Sequence, residues 1–253
     1  MCSFNLPEEH PITIYVNGTN FVTLMCTPEN LKDLAAGHLI NSGIVKSMKD
    51  IMIIMACDEE REIYVNAPNA DLSGNELKQV VMTGCGSGAN ISEKLDKLPK
   101  IYSDHKVSAD EIKLSFKRMI KESEKYKEHG ALHSSALING DFFVTKEDVG
   151  RHNSHDKVVG YAAIRDIDLT KSMVITTGRI SADMVYKAVS SKVPIICSLS
   201  NPTKLAVQIG QKCGITIVGR CMKPNMNIYT HEQRIQHKGG VLCSEDLELQ
   251  NLS

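Results

Sequence analysis

The constraint that most limits this chain is the alternation of strand-like and helix-like runs between Ser172 and Arg220. "SMVITT", "VPIICSLS" and "GITIVGR" are short apolar runs rich in Val and Ile, each closed by Gly, Ser, Thr or Asn. That is the signature of buried strands. "ADMVYKAVSS" and "TKLAVQIGQKC" lie between them and carry helical apolar spacing. Strands separated by helices of this length predict a sheet covered on both faces. Upstream, "ALHSSALI", "NGD" and "FFVTK" predict a hairpin, and "SHDKVVGYAAIRD" a helix. "MNIYT" predicts a further strand after the alternation. The fold class is α/β, with residues 108–253 forming the core and residues 1–107 a smaller α+β part.

In that N-terminal part, "ITIYVNGTNFVTLMCT" predicts two strands about Asn17-Gly18, a favoured hairpin turn pair. "TPENLKDLAAGHLINSG" predicts a helix with Thr27 as N-cap, Pro28 in the first position and Gly43 at its end. Leu31, Leu34, Ala35, His38 and Leu39 fall on one face of it. "IMIIMAC" and "EIYVN" predict two more strands, and residues 67–79 a polar connection. "SADEIKLSFKRMIKESEKYKEHG" predicts one helix from Ser108 to Gly130. Ser108 and Glu111 have capping-box spacing, and Ile112, Phe116, Met119 and Ile120 form its apolar stripe.

Composition removes several function classes. The 29 Lys+Arg against 30 Asp+Glu leave a formal charge of −1, so no global basic footprint marks a nucleic-acid binder. Aromatics are 5% with no Trp, too few for an extended base-stacking platform. No apolar run approaches the roughly 20 residues of a membrane span, and "MCSFNLPEEHP" lacks a signal-peptide core. The expectation is a cytoplasmic chain without membrane insertion. Eight cysteines are widely spaced and none forms C-x-x-C, so free thiols are expected, most of them packed as small hydrophobes.

Four polar segments fall at predicted strand ends, where α/β sheets bind ligands. They are "EDVGRHN", "TTGRIS", "SLSNPT" and "GRCMKPN". The run Lys146–Lys157 gathers Glu147, Asp148, Arg151, His152, Asn153, His155 and Asp156 about Gly150. An arginine fork beside the amides of a helix start can hold an anion, and a solvated loop with internal ion pairs has the same composition. Gly178, Arg179 and Ser181 offer a weak phosphate-binding string, with a strand-to-helix turn as the plain alternative. Thr203 caps the following helix, and His133 sits in an otherwise small or apolar strand. Cys85 is different. In "VMTGCGSGAN" it lies among Gly84, Gly86 and Gly88, which offer no packed wall for a structural thiol. Exposure and backbone freedom suit a reactive one.

Taken in order, "TPENLKDLAAGHLINSGI", "TGCGSG", "GALHSSAL", "EDVGRHNSHDKVVGYA", "TTGRISADMVYKAV", "VPIICSLSNPTKLAVQIGQKCGITIVGR" and "MNIYT" resemble the formate dehydrogenase accessory protein family, the FdhD-type sulfurtransferases. The likeness runs from about Pro11 to His231. It implies a cytidine-deaminase-like three-layer α/β/α core and a homodimer. It implies that Cys85 takes persulfide sulfur from a cysteine desulfurase and passes it to a bis-molybdopterin guanine dinucleotide molybdenum cofactor. That cofactor, bound as cargo, then serves formate dehydrogenase. Arg220, Cys221, Met222, Lys223, Pro224 and Asn225 align with a family cofactor-binding segment. His133, Asp148, Arg151, His152, Asn153, Lys157, Gly178, Arg179, Ser181 and Thr203 are the further candidate contacts.

Three departures stand out. Gly88 occupies the place where the family often has a second cysteine. "GRCMKPN" replaces an aromatic- and Arg-containing pattern. "GHLINSG" replaces a "GF…EG" helix pattern, with His38 and Ser42 expected to alter packing and polarity. Two rival readings remain: a non-catalytic cofactor carrier, and a zinc hydrolase suggested by the deaminase-like fold. Zinc deaminases use H-x-E and P-C-x-x-C. This chain has "HSS" and no C-x-x-C, so no zinc is expected.

Overall fold

A computed structural model describes residues 6–57, 59–72 and 98–236. The turn Asn17-Gly18 joins β1 (His10–Val16) to β2 (Thr19–Cys26), with both turn residues at positive φ (51° and 79°) as the expected hairpin requires. β3 (Ile53–Cys57) and β4 (Glu62–Asn66) complete a sheet of order β2-β1-β4-β3, in which β1 and β4 run parallel. Ile12, Ile14, Ile63 and Val65 turn inward by strand alternation and pack under α1 (Leu31–Asn41).

β5 (Val107–Ser108) leads into α2 (Ala109–Glu122), whose capping box forms as expected: Glu111 N donates to Ser108 Oγ at 3.0 Å, and Ser108 N to Glu111 Oε2 at 3.4 Å. The predicted single helix to Gly130 is broken. Ser123 turns its hydroxyl back to Met119 O at 2.7 Å and leaves helical geometry (ψ 83°), and α3 (Glu124–His129) restarts on the amides of Lys125 and Tyr126, which donate to Glu147. A side-chain bond to its own backbone and a tertiary carboxylate thus outweigh local helix propensity.

The main sheet contains the hairpin β6 (His133–Asn139) and β7 (Phe142–Asp148), then β8 (Met173–Thr176), β9 (Ile195–Ser198), β10 (Thr216–Gly219) and β11 (Asn227–Thr230). Their order is β11-β10-β9-β8-β6-β7. β8, β9 and β10 are mutually parallel, and β6, β7 and β11 are antiparallel additions at the two sides. The crossovers are α5 (Ala182–Ser191) and α6 (Lys204–Cys213), and α4 (Arg151–Ile164) connects β7 to β8. α4 begins three residues earlier than "SHDKVVGYAAIRD" predicts. A short strand, β12 (Ile235–Gln236), pairs with β5. The predicted α/β class is observed.

Strand alternation divides the sheet between two cores. Leu137, Val174, Ile196 and Ile217 face α1, α4, α5 and α6. Ala136, Ile138, Met173, Ile175, Ile195, Cys197 and Val218 face Ile112, Phe116 and Met119 of α2. Helices α1 and α4 cross at backbone contact. A Cβ on Gly37 would lie 1.8 Å from Asp156 O, and one on Gly160 would lie 1.9 Å from Asp33 O. This crossing fixes where the start of α4 is presented. Among the described residues no helix is long and apolar enough to cross a membrane.

The expected start of α1 is corrected. The helix opens at Leu31, and its preceding residue Asn30 is left-handed (φ 55°) with no side-chain cap. Thr27 instead serves a partner far along the chain: its N–H donates to Asp148 Oδ2 at 3.2 Å, and its hydroxyl accepts from Val149 N at 3.2 Å.

Candidate functional site

The carboxyl ends of β8, β9 and β10 open on one side of the sheet. Antiparallel pairing brings His133, at the start of β6, and Asp148, at the end of β7, to the same side. The starts of α4 and α5 lie there too, because each helix follows directly on a strand and its connecting turn. "EDVGRHN", "TTGRIS", "SLSNPT" and "GRCMKPN" therefore share one edge, as their strand-end positions predict.

Much of the charged run Lys146–Lys157 is occupied in holding that edge together. Asp148 is fully buried and accepts from Thr27 N, Gly150 N (2.8 Å), Asn153 Nδ2 (3.0 Å) and Lys157 Nζ (2.6 Å). Lys157, also fully buried, donates in addition to Thr27 O at 3.0 Å. Asn153 donates to Met25 O at 2.8 Å. These three candidate contacts form a structural lock between α4 and the end of β2. A buried charge needs this kind of complete pairing.

A second buried knot joins three helices. Asp156 of α4 accepts from Lys187 Nζ of α5 at 2.9 Å on each oxygen, from Asn41 Nδ2 at 2.7 Å, and pairs with His38 Nδ1 at 3.0 Å. Burial alone would raise the Asp156 pKa. The Lys187 ammonium, His38 and Asn41 outweigh it and hold the carboxyl well below the ordinary range. His38 thus acts on packing and polarity, as its place in "GHLINSG" suggested.

The side chains left facing the edge are mostly cationic or protic, with one carboxylate, Asp183, in the first turn of α5. A Cβ on Gly178 would lie 2.8 Å from Arg151 Cβ and 3.4 Å from His133 Nδ1, so glycine here lets Arg151 and His133 close on the β8 turn. Burial, followed by the Arg151 charge, lowers the His133 pKa and so favours the neutral ring. Burial likewise lowers the pKa of His152, whose Nε2 lies 3.4 Å from Asp183 Oδ2. Gly150 N-caps α4 without a side chain, and Ser181 N-caps α5 without using its hydroxyl. Among the described residues Arg151 Nε and Ser181 Oγ are buried atoms without a hydrogen-bond partner. Two helix N-termini without side-chain caps, an arginine and an unused hydroxyl have the chemistry to hold an anion.

The other candidates divide by position. Arg179 is exposed beside this group. Thr203 caps α6 by accepting from Ala206 N at 3.2 Å, and its own N–H donates to Ile180 O at 3.0 Å. The segment Arg220–Asn225 leaves β10 as a turn pinned to the end of β9: Arg220 N donates to Ser200 O (3.3 Å) and Cys221 N to Ser198 O (3.1 Å). Arg220, Met222, Lys223, Pro224 and Asn225 are exposed, whereas Cys221 is fully buried with its thiol toward Val218 O. Cys221 supports the turn from beneath, so its side chain is not a contact surface. β9 separates this segment from the Arg151 group.

Sequence reasoning gave no role to Asp183, Lys187 or Ser198. Ser198 Oγ donates to Gly178 O at 2.7 Å and holds the β8 turn. Nothing in its local sequence signals this, since the partner is 20 residues away. His155, within the charged run, is fully buried with neither ring nitrogen bonded, and burial pushes its pKa down to about 4.

Cys26, Cys57, Cys197, Cys213 and Cys221 are free thiols, four of them buried, as expected. Burial, then the Asp148 charge, pushes Cys26 up to about 12. Burial likewise raises the Cys197 and Cys213 thiols, the opposite of the shift that activates a reactive sulfur. Cys85, the predicted sulfur-bearing residue, lies outside the described residues. Among the described residues no group of three or more His, Cys, Asp or Glu side chains could hold a metal ion.

The FdhD/NarQ family profile matches residues 7–236. The chain belongs to the FdhD/NarQ family. Family members named sulfur carrier protein FdhD include one from Bacillus pumilus, 34% identical over 90% of this chain and 89% of its own length. Another, from Methanothermobacter thermautotrophicus, is 33% identical over 88% of each. A crystal structure from Desulfotalea psychrophila, described as a formate dehydrogenase accessory protein, is 27% identical with a TM-score of 0.74 and covers 91% of this chain and 90% of its own. The FdhD/NarQ match therefore spans both the N-terminal sheet and the main sheet.

Proposed function

We propose that this chain is a cytoplasmic sulfur carrier for formate dehydrogenase that receives sulfur on Cys85 and delivers it to a bound bis-molybdopterin guanine dinucleotide molybdenum cofactor. Family membership and the names of the relatives support the sulfur-carrying role. The observation that carries the cargo site is the pair of uncapped helix starts, α4 and α5, beside Arg151. A dinucleotide cargo presents pyrophosphates, and amide donors at helix N-termini with an arginine fork match their charge and geometry. The exposed face of Arg220–Asn225, at the same sheet edge, extends the contact surface. Asp148, Asn153 and Lys157 act indirectly, by holding the start of α4.

In the loading step the Cys85 thiolate attacks the outer sulfur of a desulfurase persulfide. A new S–S bond forms on Cys85, the donor S–S bond breaks, and the desulfurase cysteine leaves as thiolate. One thiol suffices, which accommodates Gly88 in place of a second cysteine. In delivery the S–S bond on Cys85 breaks with its electron pair left on Cys85, which regenerates the thiolate, and the terminal sulfur passes as a neutral atom to the cargo, which supplies the electron pair of the new bond. A cytidine-deaminase-like core and a homodimer belong to the same reading.

Mass spectrometry after incubation with desulfurase and cysteine tests it. The expected result is the mass of one added sulfur on Cys85, lost on reduction. An unloaded wild-type protein, or an identical adduct pattern in Cys85→Ala, overturns sulfur carrying. Formate dehydrogenase activity restored in cells by Cys85→Ala would favour the non-catalytic carrier instead.

A further inference from the structure

Helix α2 buries Ile112, Phe116 and Met119, which leaves its opposite face to solvent. On that face Lys113, Lys117 and Lys121 stand at i, i+4 and i+8, one above the other over about 12 Å of helix. Like charges at this spacing repel, and they are commonly relieved by an acidic neighbour. The adjacent stripe of the same helix shows that relief. Arg118 Nε pairs with Glu122 at 2.8 Å, and Glu122 also accepts from Thr145 Oγ1 at 2.8 Å. Among the described residues Lys117 and Lys121 make no ion pair. Lys113 reaches the other way, with Nζ 3.5 Å from Pro224 O. The stripe is therefore continuous with the exposed Arg220 and Lys223, and Leu114, 63% exposed, stands beside it as an apolar contact.

We infer that this lysine stripe is a docking surface for an acidic face of the protein that receives the cargo. The inference rests on the reading of Arg220–Asn225 as part of the cargo site, because the stripe begins at that segment. It is a convex helix face and not a pocket, so it fits a macromolecular surface better than a small ligand. An exposed leucine beside cations suits a protein interface better than a phosphate backbone. Clustered rim charges of this kind raise the association rate and orient the encounter. A client steered onto α2 would meet the sheet edge where the cargo lies.

The test uses the full chain and purified formate dehydrogenase apoenzyme lacking its molybdenum cofactor. Association is followed by biolayer interferometry. The wild-type association rate is expected to fall about tenfold between roughly 50 and 300 mM salt. Lys117→Glu/Lys121→Glu should lose at least about tenfold in rate at low salt, and Lys117→Gln/Lys121→Gln an intermediate amount. Sulfur loading of Cys85 should be unchanged in both, which also shows that they fold. Equal association of wild type and the Glu variant overturns the docking surface and leaves sulfur carrying intact. No association of wild type also overturns it, while the loading assay separately decides the carrier reading. Retained apoenzyme binding with lost retention on duplex RNA would assign the stripe to nucleic acid and overturn the inference.

Discussion

Replacing Lys187 by Met tests whether the Asp156 knot holds α1, α4 and α5 in register. Methionine keeps the length of the lysine stem and removes only the ammonium. Lys187 Nζ lies 2.9 Å from both Asp156 oxygens, and both side chains are buried. At that distance and an effective dielectric of about 20, the direct attraction is about 6 kcal/mol. Desolvation of the ammonium offsets part of it. Removing one partner of a buried pair costs about 3–5 kcal/mol, because the remaining charge stays buried. Asp156 keeps Asn41 and His38 as partners, so the lower end, about 3 kcal/mol, is expected.

Urea unfolding at pH 7 measures this cost. The pH dependence gives an independent check. Asp156 has a folded pKa below its unfolded value, so its contribution is complete above the unfolded value near 4 and is lost as pH falls through the folded value. The stability gap between wild type and Lys187→Met should stay level from about pH 5 to 8 and narrow below about pH 4. Lys187→Met/Asp156→Asn, which removes both charges, should recover at least about half of the loss. A cost below about 1 kcal/mol, or a double variant that is merely additive, would refute the reasoning.

His155→Leu should flatten stability against pH. His155 has a folded pKa near 4 against an unfolded value of about 6.5, so the wild type loses about 3 kcal/mol as pH falls between them, and the variant should not. Urea midpoints that decline equally in both proteins between pH 7 and 4 would contradict this. Gly178→Ala should displace Arg151, since the new Cβ would lie 2.8 Å from Arg151 Cβ. Binding of a guanine dinucleotide cargo, followed by calorimetry, should weaken about tenfold, and unchanged affinity would remove Arg151 from the site. Lys157→Met should destabilise by about 3–5 kcal/mol in urea unfolding, because it strands the buried Asp148 carboxylate. A near-neutral effect would mean that the lock is already satisfied by its neutral donors.

The elements were legible wherever the signal is local. The Asn17-Gly18 turn, the Ser108–Glu111 capping box, the Thr203 cap and the strands around Val174, Ile196 and Ile217 follow from nearest-neighbour sterics and alternation, and the structure shows each. Local signals misled where a distant group competed. Thr27 has the chemistry of an N-cap, but its amide meets Asp148, 121 positions away. Ser123 lies in a helix-forming run, but the chain bends there and restarts on Glu147.

The candidate site shows the same division. By itself the sequence determined which residue types reach one edge of the sheet, because strand direction and turn position put them there. It also carried the family likeness and singled out Cys85. It could not distribute roles within "EDVGRHNSHDK", since Asp, Asn and Lys in such a run serve equally well as ligands or as ties. Only the tertiary structure decided that Asp148, Asn153, Asp156 and Lys157 are ties while Arg151 keeps a free donor at the edge. The physical reason is burial. A charge removed from water must be paired, and its partners here come from β2, α1 and α5, at separations that no local pattern encodes.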